Sequence, residues 1–331
     1  MSSAFSLVNL GETTQTNAIE GYEDDVMNFT RLIHAGPVKD SHFRGMILMA
    51  IAMLIIPGID VFAKLLGQTM SPGQVVWFRF FLQSLLITPI ILYNRLWKLP
   101  PETLLIQFTR GVLLAAATLF FFAALNYLSI AAAISIFFVE PMVLTLLSVI
   151  FLGEVIRIRR ILAIILGFAG ALLVIRPSFA SVGLPALLPL ATAVTFAFYL
   201  LLTRRISGVV NPFQMQWVVG LSAVLVMSLA LAFGEGFGIT PLKPSLPVGE
   251  AVFWVICLGV FSTIGHLMIV FAMRRAPASL LAPFQYIEII GATVFGYLVF
   301  GDLLDLESVI GVLIIIASGL YLFHRESLDR S

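Results

Sequence analysis

The sequence predicts an all-α polytopic membrane protein with ten transmembrane helices, arranged as two inverted five-helix repeats. Three observations predict this fold: the composition, the spacing of the apolar segments and an internal duplication. Of the 331 residues, 60% are hydrophobic and only 11% are charged, and the mean hydropathy is +1.05. Soluble domains typically contain about 25% charged residues. The composition therefore indicates a chain that is embedded in a lipid bilayer.

The net charge and the cysteine content narrow the function classes. The formal net charge at pH 7 is +1, whereas nucleic-acid-binding domains usually carry a clustered basic face. Cys257 has no second cysteine with which to form a disulfide within the chain. We therefore predict no nucleic-acid partner and no redox chemistry.

The N-terminal segment, residues 1–43, is polar and acidic. It contains neither a basic start followed by an apolar core nor a small-residue cleavage site, as a signal peptide would. We predict that it is a disordered cytoplasmic tail. Residues 325–331 are predicted to form a second, shorter cytoplasmic tail.

Ten apolar segments follow the N-terminal tail, each close to the length of about 20 residues that an α-helix needs to cross roughly 30 Å of hydrocarbon. Short connections separate them. The predicted spans are residues 44–67, 74–93, 107–127, 129–152, 160–176, 183–203, 212–233, 250–273, 278–300 and 305–324.

The basic residues indicate which way the spans point. With a cytoplasmic N-terminus, fourteen of the 19 lysines and arginines fall in inner segments, and the outer ends hold only Lys64, Arg176 and Lys243. Arg79 lies inside the second span, and Arg110 lies at the cytoplasmic start of the third. Cytoplasmic loops are enriched in Lys and Arg. We therefore predict a plasma (inner) membrane protein with both termini in the cytoplasm.

The chain contains an internal duplication. Residues 72–77 read Pro-Gly-Gln-Val-Val-Trp and residues 212–217 read Pro-Phe-Gln-Met-Gln-Trp, so Pro, Gln and Trp recur at the same spacing. A Gly-acidic dipeptide also recurs, at residues 153–154 and 301–302, and aligning the two places Glu140 on Glu288 without a gap.

The two predicted copies extend over residues 44–176 and 183–324. Each copy has five spans, an odd number, so the second copy enters the membrane from the opposite side. Inverted repeats of this kind, with a site near the bilayer midplane, recur in secondary transporters.

Five features along the chain carry a resemblance to a known family. They are residues 60–64 (Asp-Val-Phe-Ala-Lys), residues 77–80 (Trp-Phe-Arg-Phe), Glu140-Pro141, residues 151–154 (Phe-Leu-Gly-Glu) and the Gly167/Gly170 pair. With these features the chain resembles the drug/metabolite transporter superfamily, specifically its ten-helix, twice-repeated EamA branch. The resemblance covers nearly everything after the N-terminal tail.

The resemblance implies a carrier of a small polar metabolite, such as an amino acid, a nucleoside, a vitamin or S-adenosylmethionine. Span 1 is similar to that of the S-adenosylmethionine carriers. The chain departs from the family pattern at Asp302, where glutamate is usual, and at Pro283, which lies six residues before the position that matches Pro141. The two halves therefore differ locally.

Glu140 and Glu288 each lie near the middle of a predicted span. A rise of about 1.5 Å per residue places them roughly 15–16 Å deep, counted from Ser129 and Ala278. A charged side chain at the bilayer centre costs roughly 2.5–3.5 kcal/mol on insertion scales, so it is kept mainly where it faces protein or water. Each glutamate is therefore a candidate substrate, proton or cation site. The alternative is a hydrogen bond between packed helices.

Neighbouring residues extend this candidate site. Gln285 lies three positions before Glu288 and shares its helical face, and Tyr286 is close to that face. A polar stripe on an apolar helix predicts the lining of a cavity. Pro141 and Pro283 remove backbone donors inside the spans, so we predict helix breaks where neighbours or cavity water satisfy the freed carbonyls.

Asp60, Lys64 and Arg79 are predicted to form an outer cluster. Asp60 and Lys64 are spaced i,i+4 and can pair near the outer end of span 1, where we predict an outer gate. Arg79 lies about 7 Å in from the outer end of span 2. It is a candidate for holding an anionic group such as a substrate carboxylate, and a structural pair is the alternative.

Three further residues complete the candidate site. His266 in span 8 is a candidate proton carrier because imidazole ordinarily titrates near neutral pH, and a core hydrogen bond is the alternative. Trp217 lies near a helix end, where it either anchors the helix at the interface or stacks on a flat substrate. Tyr199 shares a face of span 6 with Thr192 and Thr195, and this face either binds a solute or packs against another helix.

The leading hypothesis is a secondary transporter that moves a small polar metabolite by alternating access, with proton coupling or exchange through Glu140 and Glu288. The sequence has no Gly-x-x-x-x-Gly-Lys loop for ATP and no His-Glu-x-x-His or Gly-x-Ser-x-Gly string. We therefore predict no catalytic residue, no cofactor and no metal.

Two other function classes stay open. Paired carboxylates also serve acid–base chemistry, so an intramembrane enzyme is one alternative. A sensor or scaffold that kept the fold without transport is the other. The oligomeric state is open as well, because Ala163, Gly167 and Gly170 on span 5 permit close packing within a monomer or across a homodimer.

Overall fold

The computed structural model describes residues 38–152, 158–206, 210–275, 284–285, 287–303 and 305–328. Helices dominate these residues, and no strand occurs among them. The all-α prediction is therefore confirmed for the described part of the chain. The described helices are α1 (Val38–Leu66), α2 (Pro72–Tyr93), α3 (Leu104–Ala124), α4 (Ile130–Phe137), α5 (Glu140–Leu152), α6 (Ile158–Val182), α7 (Leu188–Ile206), α8 (Pro212–Phe237), α9 (Glu250–Arg275), α10 (Ile287–Phe300) and α11 (Leu306–Leu328).

The chain divides into two compact units, Met1–Arg44 and Gly45–Ser331. The structure describes only residues 38–44 of the first unit, and they form the start of α1. The rest of the predicted N-terminal tail lies outside the described residues. The predicted C-terminal tail is partly helical, since α11 continues to Leu328. A helix does not have to end where its apolar stretch ends, because its backbone hydrogen bonds are internal.

Among the described residues, six helices are long and apolar enough to cross a membrane: Phe43–Leu66, Pro72–Tyr93, Pro101–Leu125, Leu184–Thr203, Pro212–Phe237 and Glu250–Ala272. Shorter apolar helical stretches cover Ile130–Leu144, which contains the break described below, Ile287–Phe300 and Leu306–Ser318. Large apolar side chains cover much of the outer surface, for example Leu85, which is 53% exposed, and Leu298, which is 70% exposed. Such a surface suits lipid rather than water, so the chain is a multi-pass membrane protein.

Side-chain caps fix where several helices begin. Ser71 accepts a hydrogen bond from the Gln74 amide at the start of α2, and Ser129 accepts one from the Ala132 amide at the start of α4. At the start of α8, Asn211 and Gln214 form a capping box. These caps satisfy amide groups that have no partner within the helix.

The predicted span 129–152 is broken near its middle. Helix α4 ends at Phe137 and α5 begins at Glu140, so Phe138 and Val139 lie between the two helices. Pro141 lacks the amide hydrogen that would continue the α4 ladder, which accounts for a break at this point. The break places Glu140 in the first turn of a new helix.

Several helix pairs pack closely along their lengths. Helix α3 packs against α7 and α8, α2 packs against α8 and α9, and α6 lies along α11. Gly170 permits the last of these contacts, because a Cβ atom there would lie 2.9 Å from the Gly311 carbonyl oxygen. Gly170 therefore serves packing within one chain.

Candidate functional site

A cavity of about 140 Å³ lies among seven of the described helices, α1, α2, α3, α5, α7, α9 and α10, with the end of α4. It brings together six of the residues that the sequence singles out. They are Asp60 on α1, Arg79 on α2, Glu140 on α5, His266 on α9, Gln285 before α10 and Glu288 at the start of α10. Residues far apart in the sequence therefore share one cavity.

Arg79 is the centre of a hydrogen-bond network in this cavity. Its Nε atom donates to Ser262 Oγ at 3.3 Å, and its terminal nitrogens donate to Thr118 Oγ1 and to His266 Nε2. A guanidinium can only donate, so His266 must accept through Nε2 and carry its proton on Nδ1. Arg79 thereby links α2 to α3 and α9 and holds His266 as a neutral imidazole.

Three buried carboxyl groups lie in the same cavity: Asp60, Glu140 and Glu288. Asp60 interacts electrostatically with both Arg79 and Glu288. Within the described residues, Asp60 Oδ2 and Glu140 Oε1 have no hydrogen-bond partner. One arginine cannot neutralise three carboxylates. Charge balance in the cavity would therefore need protons on the carboxyl groups, a bound cation or a cationic group of a substrate.

Both cavity glutamates lie in the first turn of a helix, Glu140 in α5 and Glu288 in α10. The amino end of a helix carries a partial positive charge and free amide donors. Transporters with broken helices use such ends to hold ions and substrates near the midplane. The break at residues 138–139 therefore leaves Glu140 at a free amino end of α5.

Phenylalanine rings form much of the remaining wall. Phe137 lies edge-on to Phe121 at 6.1 Å and to Phe196 at 5.5 Å between ring centroids. Phe122 and Phe138 line the same cavity. We did not predict these residues, although the phenylalanine runs at 120–122 and 137–138 were a visible signal. Aromatic walls favour a substrate with a flat ring.

Some predicted site residues lie elsewhere. Trp217 donates from Nε1 to Thr88 Oγ1 at 3.0 Å and does not line the cavity. Tyr199 is buried beneath the guanidinium of Arg110, and of its predicted polar face only Thr192 reaches the cavity. Tyr286 lies outside the described residues.

The predicted pair between Asp60 and Lys64 differs from the structure. Lys64 donates from Nζ to Asp302 Oδ2 at 2.6 Å and lies 4.6 Å from the centroid of the Phe300 ring. Asp60 points into the cavity instead. The i,i+4 spacing permits a local pair, but Asp302 offers Lys64 a carboxylate near the surface and leaves Asp60 to Arg79.

Comparison of this sequence with models of known protein families identifies the family to which it is similar. The EamA-like transporter family matches the chain twice, over residues 43–176 and 183–323. The two matched segments closely follow the two predicted repeats, and they contain all six cavity residues named above.

Individual relatives are more distant. The chain is 27% identical over 286 residues to an uncharacterised transporter of Helicobacter pylori strain J99, covering 84% of this chain and 95% of the relative. It is 24% identical to an S-adenosylmethionine uptake transporter of Rickettsia bellii (81% and 89% covered) and 24% identical to a riboflavin transporter of Brucella anthropi (78% and 91% covered).

A solved crystal structure shares the fold. It superposes with a TM-score of 0.61 at 18% sequence identity, covering 84% of this chain and 96% of the other. The family match over both halves makes this multi-pass membrane protein a member of the EamA-like transporter family.

Proposed function

We propose that this protein is a secondary transporter of the plasma (inner) membrane that moves a small polar metabolite by alternating access. The observation that carries the proposal is the shared cavity. Asp60, Arg79 and Glu140 come from the first family match, and His266, Gln285 and Glu288 come from the second. A site between two related halves suits a carrier in which the halves move against each other.

The proposed architecture is ten spans in two inverted repeats, residues 44–176 and 183–324, with both termini in the cytoplasm. The family matches over 43–176 and 183–323 support the repeat boundaries. The cavity is smaller than the 300–1,000 Å³ or so of common ligand pockets, so we infer that a substrate enters when the halves move apart.

The proposed substrate carries a flat heteroaromatic ring and a cationic group. The ring would lie against the phenylalanine wall, and the cation would neutralise part of the charge of Asp60, Glu140 and Glu288. Relatives named for uptake of S-adenosylmethionine and for riboflavin support a ring-bearing metabolite. S-adenosylmethionine has both groups and is the substrate that the cavity suits better.

Proton coupling and an outer gate complete the proposal. Protons on Glu140 or Glu288 would couple transport to the proton gradient, and exchange of one metabolite for another is the alternative.

At the outer end, the Lys64–Asp302 pair joins the two halves and is the proposed outer gate in place of Asp60 and Lys64. Assembly as a homodimer stays a prediction.

Uptake into proteoliposomes tests the proposal. Purified wild-type protein, the double variant Glu140→Gln/Glu288→Gln and the control Glu235→Gln would be assayed with labelled S-adenosylmethionine and with riboflavin. Glu235 is exposed at the end of α8, so its variant removes a carboxylate outside the cavity. We expect uptake by wild type and control and at least a tenfold loss in the double variant, or about 1.4 kcal/mol.

Three outcomes would overturn parts of the proposal. Equal uptake by the double variant would remove the glutamates from the transport site. No uptake of either compound by wild type, with or without a pH gradient or internal substrate, would remove this substrate class. Chemical conversion of a compound without its movement would favour an intramembrane enzyme.

A further inference from the structure

A second buried arginine lies outside the cavity. Arg110 on α3 is 0% exposed, whereas the sequence places it at the cytoplasmic start of a span. Its Nε atom donates to Thr203 Oγ1 on α7 at 2.9 Å, and its guanidinium carbon lies 5.1 Å from the centroid of the Tyr199 ring. Its Nη1 and Nη2 atoms are buried and have no hydrogen-bond partner among the described residues.

The positive charge of Arg110 has no counter-charge in the described part of the chain. The ion pair found there joins Lys64 to Asp302, far from α3 in the sequence. Tyr199 stabilises the guanidinium through its ring and its hydroxyl group, but it brings no carboxylate that could balance the charge. A buried ion that lacks a partner is strongly unfavourable, so such a group indicates a missing ligand or a second conformation.

Comparison with Arg79 shows how unusual this setting is. Arg79 donates to Ser262, Thr118 and His266 and interacts with Asp60. Arg110 donates to Thr203 and interacts with Tyr199, whereas the outer fork of its guanidinium, Nη1 and Nη2, has no carboxylate partner among the described residues. That fork has the geometry to hold a carboxylate or a phosphate through two parallel hydrogen bonds.

Arg110 also lies close to the cavity along two helices. Leu114, one turn further along α3, and Leu200, beside Tyr199 on α7, both line the cavity. Thr118, which holds Arg79, lies about 12 Å beyond Arg110 along α3 at a rise of about 1.5 Å per residue. Under the proposed orientation, Arg110 lies on the cytoplasmic side of the cavity.

We propose that Arg110 is a second binding site for the transported metabolite, which takes an oxyanion group, carboxylate or phosphate, on the cytoplasmic side of the path. Helices α3 and α7 cover it in this conformation, and opening toward the cytoplasm uncovers it. The incoming anion then replaces the missing counter-charge. The role in transport rests on the proposed function, whereas oxyanion binding by Arg110 does not.

The test measures thermal unfolding of the full-length protein in a non-ionic detergent without phospholipid. Sodium acetate and inorganic phosphate are the probes, and sodium chloride of equal ionic strength is the reference. Wild type is compared with Arg110→Gln, Arg110→Lys and the control Lys98→Gln. Lys98 is exposed in the loop after α2, so its variant removes a positive charge without touching a buried site.

We expect acetate or phosphate to raise the unfolding midpoint of wild type and Lys98→Gln above the chloride value, because a ligand that binds the folded state stabilises it. Arg110→Gln should lose this response. Arg110→Lys keeps the charge without the fork and should need an about tenfold higher anion concentration, the loss expected for one charged hydrogen bond. The lysine variant keeps the test decisive if Arg110→Gln does not fold.

An equal response of wild type and both Arg110 variants, or none in wild type, would overturn the inference. A rise with added phosphatidylglycerol and none with soluble anions would also overturn it, because Arg110 would then bind lipid. If neither labelled compound is taken up but the anion response depends on Arg110, the oxyanion site is supported and the proposed substrates are wrong. If uptake depends on Glu140 and Glu288 while Arg110→Gln responds like wild type, only this inference falls.

Discussion

Arg79 donates a hydrogen bond to Nε2 of His266 across the interface of α2 and α9. The two residues belong to different family matches, so this contact joins the two halves of the chain inside the cavity. His266 acts here as an acceptor, which holds Arg79 beside the carboxyl groups. We therefore expect His266 to position Arg79 rather than to carry protons.

Replacing His266 tests this positioning role. His266→Leu would leave a buried guanidinium donor of Arg79 without an acceptor, and we expect a loss of about 1–3 kcal/mol in stability. His266→Gln keeps an acceptor and should cost less. Unfolding midpoints and uptake rates of both variants check this. If the glutamine variant keeps uptake, a proton-carrying role for His266 is excluded, and if it loses uptake while folding normally, the positioning role is excluded.

The Lys64–Asp302 pair should hold the outer side closed. Both side chains are partly exposed, at 18% and 30%, so the pair should add no more than about 1 kcal/mol to stability. Its larger effect should be on access. Cys257→Ser combined with Ile59→Cys leaves one cysteine, which lies in the cavity. In this background, Lys64→Gln should speed the reaction of that cysteine with an external thiol reagent that does not cross the membrane.

The matched control for the gate reverses the charges. Lys64→Asp/Asp302→Lys keeps an ion pair and should restore slow labelling of the cysteine at position 59. Equal labelling of all variants would mean that the pair does not control access from outside.

The contact between α1 and α10 depends on a glycine. A Cβ atom at Gly291 would lie 2.9 Å from Pro57 Cγ, so Gly291→Ala should overpack the interface and cost about 1–3 kcal/mol. Gly236 on α8 has nothing within 4 Å of its Cβ position, so Gly236→Ala should be neutral or stabilising by up to about 1 kcal/mol. Unfolding midpoints of the two variants check this, and equal midpoints would contradict the close approach.

The phenylalanine wall should select ring-bearing substrates. Phe137→Leu keeps an apolar side chain but removes a flat ring, and we expect the affinity for a ring-bearing substrate to fall by about 0.5–1.5 kcal/mol. Phe233→Leu is the control, because Phe233 is exposed on α8. Titration of S-adenosylmethionine or riboflavin measures the difference. An unchanged affinity for whichever compound binds wild type would place its ring elsewhere.

The sequence predicted those features of the site that follow from depth and helical spacing. Glu140 and Glu288 were found by their depth in apolar segments, and Gln285 by its spacing from Glu288. All three line one cavity. Their roles in binding or coupling stay predictions that the proteoliposome assay addresses.

Other features depend on which helices meet, which spacing does not reveal. The i,i+4 spacing of Asp60 and Lys64 predicted an ion pair between them. The structure instead pairs Lys64 with Asp302, 238 positions away. Arg110 was placed at the cytoplasmic start of the third span, but packing of α3 against α7 buries it. Trp217 lies near a helix end, as its interfacial interpretation requires, and bonds to Thr88 rather than facing the cavity.

Binding of the transported metabolite in the cavity that contains Glu140 and Glu288 is central to the proposed function. Its most direct test is labelling of the full-length protein with a hydrophobic carbodiimide, which reacts with buried carboxyl groups, followed by peptide mapping by mass spectrometry. We predict labelling of Glu140 and Glu288 that S-adenosylmethionine or riboflavin slows, whichever is transported. Labelling of both glutamates at the same rate with and without a transported compound would contradict the claim.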